Sequence, residues 1–290
     1  MQRKIHLRIG SLCLLAVSAA WLYADVVVRL VSDWYNDDNY SHGFVIVPLA
    51  LFFAYERRDQ LLSAQRRPMT ALGLLVVAAS LLLLVAGTLA SEFFLTRVSL
   101  VGALAGTVLF LLGATHLRIL SFPLTFLLLM IPIPAIVFNQ IAFPLQLVAS
   151  SFGESVVALA GVPVLREGNV IILASTTLEV AEACSGIRSL ISLLTLGILF
   201  GYFTDRRLAM RTLLALVTIP IAIVSNGLRV AGTGIAAHYF GSAAAEGFFH
   251  TFSGWLVFVT ATAMLFAVGR ITRAVWPVIV GRPQPVQQFS

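Results

Sequence analysis

Long apolar runs free of charge alternate with short charged clusters along this chain. Residues 9–24, 69–91, 98–115, 119–153, 212–228 and 251–269 contain no Asp, Glu, Lys or Arg. About 20 residues, rising 1.5 Å each, cross a hydrocarbon core of roughly 30 Å. Two further runs, 41–55 and 189–204, reach that length only with flanking residues. The pattern predicts an all-α polytopic integral membrane protein with about eight transmembrane helices, near 9–28, 40–55, 69–90, 98–115, 119–138, 187–204, 211–228 and 251–269. The segment 139–186 is apolar in parts but is interrupted by Pro144, Glu154, Gly161, Pro163, Arg166 and Gly168. It predicts an outer-side amphipathic or partly inserted helix around 142–160, then an extended piece through Val170-Ile-Ile-Leu173. Non-helical backbone at membrane depth needs protein or water partners, so this region is expected to pack on the bundle. Residues 1–280 read as a single transmembrane domain and 281–290 as a disordered cytoplasmic tail. Although Arg3, Lys4 and Arg8 precede the first run, the many spans that follow make it a retained anchor and not a cleaved signal peptide.

Composition sharpens this picture. The chain is 59% hydrophobic and 11% charged, against about 25% charged in an ordinary soluble domain, so it has too little polar surface for one water-soluble globule. The net charge of +6 is spread over short clusters between the apolar runs and forms no basic patch, which argues against a nucleic-acid partner. Its distribution sets a topology instead. With the N-terminus inside, every Lys and Arg except Arg29, Arg97, Arg166, Arg188 and Arg229 falls on the cytoplasmic side. The positive-inside rule therefore places both termini in the cytoplasm. The long connections 139–186 and 229–250 then lie outside, where loops can build a site over a rigid bundle.

Candidate chemistry collects on that outer side. Cys184 stands in Glu182-Ala-Cys-Ser-Gly-Ile-Arg188, just before the sixth span. A thiol at a helix N-terminus feels unpaired N–H groups and the helix dipole, and Arg188 at i+4 could lower its pKa further. The plain alternative is a small buried cysteine beside interfacial charges. Arg229 follows span seven in Ser225-Asn226-Gly-Leu-Arg229, either as a membrane-edge anchor or as part of a shaped polar pocket with Asn226. His250 lies at the start of span eight, where an imidazole can exchange a proton near neutral pH or simply sit at the interface. His42 and His238 share its side. Cys184, His250 and Arg229 could supply a nucleophile, a proton carrier and a cation for an oxyanion, if the helices bring them together.

Other chemistries are weaker. Neither His-Glu-x-x-His nor Cys-x-x-Cys occurs, so no metal or cofactor is expected. Ser175, Ser185, Ser225 and Ser253 are on the outer side without a Gly-x-Ser-x-Gly element. Cys13 lies inside the first apolar run, and a disulfide with Cys184 is not expected. Asp33, Asp37 and Asp38 read as a solvated acidic face or as a hold for a cation or basic peptide.

Taken together, Tyr40-Ser-His-Gly-Phe with Pro48, Ile131-Pro-Ile-Pro, Gly161-Val-Pro-Val with Arg166-Glu-Gly, Glu182-Ala-Cys-Ser-Gly-Ile-Arg-Ser-Leu, Ile219-Pro through Asn226-Gly-Leu-Arg229, and His250 with Gly254-Trp255 resemble the exosortase and archaeosortase family, nearest its bacterial exosortase A branch. The resemblance runs in order over about residues 40 to 260. It implies a membrane-embedded cysteine transpeptidase or protease acting on exported proteins with a C-terminal sorting tail: a Pro-Glu-Pro motif, one membrane helix and a basic end. It implies Cys184 as nucleophile, Arg229 as catalytic arginine and His250 as catalytic histidine, with Arg188, Glu182 and Asn226 supporting. It also implies the bacterial inner membrane, a site facing the periplasm, an association with exopolysaccharide, and an acceptor nucleophile whose identity it does not give. Two other readings stay open: a transporter or flippase for an envelope lipid or polysaccharide precursor, favoured by the prolines in its spans, and a non-enzymatic envelope scaffold.

Overall fold

The computed structural model describes residues 17–174, 176–180, 186–205, 207–241 and 248–280, with the side chains of 248–251, 253 and 276–280 left aside. The chain forms two compact units, residues 1–137 and 138–290. The predicted tail 281–290 and the start of the first span lie outside the described residues.

In the first unit, α1 (Ala24–Asn36) carries its helical course well beyond the expected end of span one at residue 28. Helix α2 (Gly43–Glu56) and the short α3 (Arg58–Ser63) follow. Then α4 (Thr70–Leu89) and α5 (Phe93–Leu111) pair as a hairpin, so close that a Cβ on Gly73 would stand 2.4 Å from the Phe110 backbone. The fifth expected span, 119–138, is broken: α6 (Ala114–Phe126) tightens into a 3₁₀ turn at Leu127–Met130, and residues 131–134 leave the helix. Ile131 is extended, at φ −89° and ψ 120°, because a residue before proline is pushed out of the helical region.

A backbone opened inside an apolar protein needs new partners, and three side chains supply them. Trp34 Nε1–H donates to the Met130 carbonyl at 2.9 Å. His42 Nε2 lies 3.1 Å from the Leu129 carbonyl, which can only accept. The Ile133 N–H donates to the Tyr40 hydroxyl at 3.3 Å. Gly43 leaves room for the Trp34 indole, whose Nε1 would be 2.3 Å from a Cβ there. The Tyr40-Ser-His-Gly and Ile131-Pro-Ile-Pro motifs are thus two halves of one structural device.

The second unit starts within α7 (Ala135–Leu159), a continuous 25-residue helix of spanning length containing Pro144, where the sequence suggests a shorter, partly inserted helix. An antiparallel sheet in the order β1-β2-β3 follows: β1 (Val164–Glu167), β2 (Val170–Leu173) and β3 (Thr177–Glu179), with Val164 opposite Leu173 and Val170 opposite Glu179. The extended Val170–Leu173 piece is the central strand. Helices α8 (Ile187–Thr204), α9 (Leu208–Phe240) and α10 (Phe248–Val280) complete the unit. Gly197 faces Thr218 and Gly201 faces Arg211, so α8 runs antiparallel to α9; Gly254 faces Arg229 and Gly269 faces Leu214, so α10 is also antiparallel to α9 and therefore parallel to α8. Between the three helices Leu193, Ile221, Ala222, Ala261 and Leu265 form an apolar core.

The 33 residues of α9 extend about 50 Å, well beyond a hydrocarbon core of about 30 Å. Its far part buries Val230, Ala231 and Ala237 against Ile171 and Leu173 of the sheet and Ala149 and Val157 of α7. The sequence places the end of span seven at residue 228, because Asn226, Gly227 and Arg229 interrupt the apolar run; the helix continues because protein, not lipid, surrounds it there. Pro220 sits inside α9 without ending it.

The chain is therefore a predominantly helical multi-pass membrane protein. Six described helices are long and apolar enough to cross a membrane. That set does not reproduce the expected eight: spans two and five are the shorter apolar helices Gly43–Glu56 and Ala114–Met130, span one starts outside the described residues, and Ala135–Leu159 is an added long helix.

Replacing Trp34 by Phe keeps the ring but removes the donor to Met130. Reversible unfolding in mixed detergent is expected to show a loss of about 1–3 kcal/mol, the cost of a buried carbonyl left unpaired; an unchanged stability would contradict this account of the break.

Candidate active site

The cysteine motif begins where the sheet ends. Val180, 3% exposed, donates its N–H to the Asn169 carbonyl at 2.9 Å, and the Asn169 side-chain amide donates back to the Val180 carbonyl at 3.3 Å. Its side chain belongs to the core shared by the sheet, α7 and α9. Six residues on, Gly186 is buried and precedes the first residue of α8, its carbonyl accepting from the Leu190 N–H at 2.8 Å. Glu182 and Cys184 lie outside the described residues, but the chain on both sides of them is fixed.

Gly186 is a glycine for two reasons. Its φ of 83° is left-handed, and a Cβ there would stand 2.8 Å from the Asn226 side-chain carbon. Asn226 is 2% exposed inside α9. The segment two residues after Cys184 therefore rests directly on the amide of Asn226.

The sequence Asn226-Gly-Leu-Arg229 is one helical turn facing several directions. Asn226 meets Gly186; Gly227 admits the Phe152 ring of α7, whose Cδ1 would be 2.5 Å from a Cβ; Leu228, 45% exposed, points outward. Arg229 is half-buried and faces α10, where a Cβ on Gly254 would lie 3.6 Å from a terminal guanidinium nitrogen. His250 lies in the first turn of α10, one turn before Gly254, with its side chain outside the described set. Arg188, the second residue of α8, is exposed.

Helix α9 places Arg229 at a definite level. Arg211, near its start, closes the other end of α8: its guanidinium donates to the Asp205 carbonyl at 2.7 Å and to the Tyr202 carbonyl at 3.2 Å. The 18 residues from Arg211 to Arg229 rise about 27 Å, close to one hydrocarbon thickness. The two arginines thus mark opposite boundaries of the bundle, and Gly186 and Gly254 share the level of Arg229.

The sheet is held on α7 by polar contacts. Arg166 Nε donates to the Glu154 carboxylate at 2.9 Å, and Ser150 Oγ to the Gly168 carbonyl at 3.0 Å. The sequence marks Arg166 and Gly168 as part of a motif and Glu154 as an interruption of an apolar run, without pairing them; the spacing of Glu154 and Arg166 on either side of a turn was the available signal. The remaining outer-side candidates are elsewhere. His42 serves the proline break in the first unit, and His238 is half-buried within α9, beside Tyr239. Ser225 is buried in the bundle with its hydroxyl 3.8 Å from Met264 sulfur. In the acidic loop, Asp33 pairs with Arg97 and Asp37 accepts from the Asn39 N–H at 2.9 Å.

A protein-family model for transmembrane exosortases matches residues 34–267, which include every element described above from Trp34 to Gly254. The chain belongs to the transmembrane exosortase family. No curated protein and no solved structure gives a significant match. Family membership makes the chain a membrane-embedded sorting transpeptidase of the cysteine peptidase class, acting on exported proteins with C-terminal sorting signals.

The Gly186–Asn226 contact gives a direct comparison. Gly186→Ala suffers left-handed backbone strain of about 1–2 kcal/mol together with overpacking on Asn226 of about 1–3 kcal/mol. Gly161→Ala, at φ 79° with nothing within 4 Å, suffers only the first. Unfolding in mixed detergent is expected to rank Gly186→Ala as clearly the less stable variant; equal losses would remove the contact from the account.

Proposed function

We propose that this chain is a thiol transpeptidase of the inner membrane whose site comprises Cys184, Arg229 and His250. The supporting observation is the seating of the cysteine loop: Val180 and Gly186 anchor its ends, and Gly186 rests on Asn226, one turn from the Arg229 that faces the α10 segment following His250. The positive-inside distribution of the basic residues supports a periplasmic position for this end of the bundle and cytoplasmic termini.

In the proposed reaction a substrate's tail helix lies against the bundle and holds a Pro-Glu-Pro-type motif at the outer boundary, so orientation lowers part of the barrier. The Cys184 thiolate, favoured by the N-terminus of α8 and by nearby guanidinium charge, adds to the scissile carbonyl. Arg229 stabilises the oxyanion by charge-assisted hydrogen bonds. The C–N bond then breaks as His250 protonates the departing amine, leaving the exported protein as a thioester on Cys184. An amine acceptor, or water, adds to that thioester and releases the thiolate, with the proton passing back to His250. The left-handed Gly186 leads directly into α8; Glu182 and Arg188 lie on either side of Cys184 in sequence and would tune the charge of its thiol. Processing of proteins associated with exopolysaccharide fits this chemistry.

A transporter or flippase is less well supported. It requires a polar path across the bilayer, whereas the space between α8, α9 and α10 is filled by the Leu193, Ile221, Ala222, Ala261 and Leu265 core. Of the prolines offered in its favour, Pro220 does not interrupt α9, and the break at Pro132 and Pro134 is closed by protein partners, Trp34, His42 and Tyr40.

Tail processing in cells, compared between the parent chain and Cys184→Ala at matched membrane abundance, tests the reading. Loss of processing to background is expected for Cys184→Ala, and a drop of about 100-fold or more for Arg229→Gln, the scale of a lost oxyanion donor. Undiminished processing by Cys184→Ala would return the transporter and scaffold readings.

A further inference from the structure

The first unit contains a cavity whose lining residues have no part in the proposed reaction. The start of α1, the end of α4 and the start of α5 surround a cavity of about 530 Å³, within the range of small-ligand sites. Helices α4 and α5 have 20 and 19 residues, so their connection, Ala90-Ser91-Glu92, marks a membrane boundary and the cavity opens at that boundary. Ser91 itself makes the turn at a φ of 54°, rare for a residue with a side chain.

The walls are of two kinds. Leu22, Leu84 and Leu89 line the cavity on the side of the apolar helix surfaces. Asp25, Arg29 and Arg97 supply its charge. Arg97 is 4% exposed and already paired with Asp33, so it is a fixed part of the frame. Arg29 and Asp25 are different. They stand one helical turn apart on α1, both exposed, in the spacing that commonly gives an ion pair. Yet neither is in an ion pair among the described residues. Arg29 instead lies over the Phe93 ring at 5.1 Å, with Arg97 over the same ring at 5.8 Å. The cavity therefore presents one open cation and one open anion above apolar walls at a membrane boundary.

A ligand with a phosphate alone would bring its charge beside the Asp25 carboxylate, and an amine alone would meet Arg29. A headgroup carrying both matches both. We propose that this cavity binds a membrane phospholipid whose headgroup contains a phosphate and a free ammonium, the phosphate on Arg29, the ammonium on Asp25 and the acyl chains along Leu22, Leu84 and Leu89. The fixed Arg97–Asp33 pair contributes no net charge, so the site as a whole is balanced and selects a zwitterion over an anionic lipid. This assignment does not depend on the reaction at Cys184.

Native mass spectrometry of the full chain, released from micelles holding equal amounts of ethanolamine-headed and glycerol-headed phospholipids with identical acyl chains, tests it. One retained ethanolamine lipid, favoured about tenfold, is expected, the discrimination of one charge-assisted hydrogen bond. Arg29→Gln should lower retention about tenfold, and Asp25→Asn should bring the headgroup ratio to about one while binding persists. Circular dichroism checks that each variant keeps parental helicity, and Arg29→Lys should retain binding. Equal retention of the two lipids by the parent chain overturns the proposal whatever the variants do, as does undiminished retention by a folded Arg29→Gln.

Discussion

A backbone that leaves a helix inside a membrane protein must find polar partners within the protein, and this constraint accounts for the most irregular parts of the chain. In the first unit the break at residues 131–134 is held by Trp34, His42 and Tyr40. In the second, the segment between α7 and α8 pairs with itself as a three-stranded sheet and closes at Val180 on Asn169. Six residues after that closed end, Gly186 enters α8 over Asn226. Without the sheet, Val180 would have no fixed position.

The second unit combines a rigid helical bundle with a polar platform. Gly197 and Gly201 let the α8 and α9 backbones approach closely, which is how helices associate where lipid offers no hydrophobic gain. Helix α9 serves both environments: its first half belongs to the apolar bundle, and its second half is the wall on which α7 and the sheet pack. Asn226 and Arg229 occur at the change-over. A guanidinium there reaches the boundary without crossing the apolar core, and a buried amide sits against protein instead of acyl chains. The positions of Asn226 and Arg229 follow from the length of α9.

The sequence makes part of this plain. Spans at 69–90 and 187–204 coincide within a residue or two with α4 and α8, because their ends carry charges or a helix-breaking glycine. Val170–Leu173 reads as extended and is a strand, bounded by turn residues. Hydropathy fails where lipid contact and helical structure diverge. It ends span seven at residue 228 although α9 reaches Phe240, and it reads a partly inserted helix around 142–160 although Ala135–Leu159 is one helix. The proline pair 132 and 134 falls within an apolar run, so composition alone hides the break. For the site, the sequence identifies Cys184, Arg229, His250 and Asn226 as residues of one membrane face but says nothing of adjacency; Gly186 and Gly254, which carry the contacts, have no chemistry to attract notice. Arg188, chosen for its i+4 spacing from Cys184, is exposed on α8.

In the proposed reaction the exported protein passes through a thioester on Cys184. Hydroxylamine, added to the purified full chain and a protein bearing a sorting tail, intercepts a thioester and leaves a hydroxamate on the new C-terminus. Mass spectrometry of the product is predicted to show that hydroxamate with the parent chain and no product with Cys184→Ala. Cleavage at the tail with no hydroxamate at any hydroxylamine concentration, or hydroxamate formed by Cys184→Ala, would contradict the account.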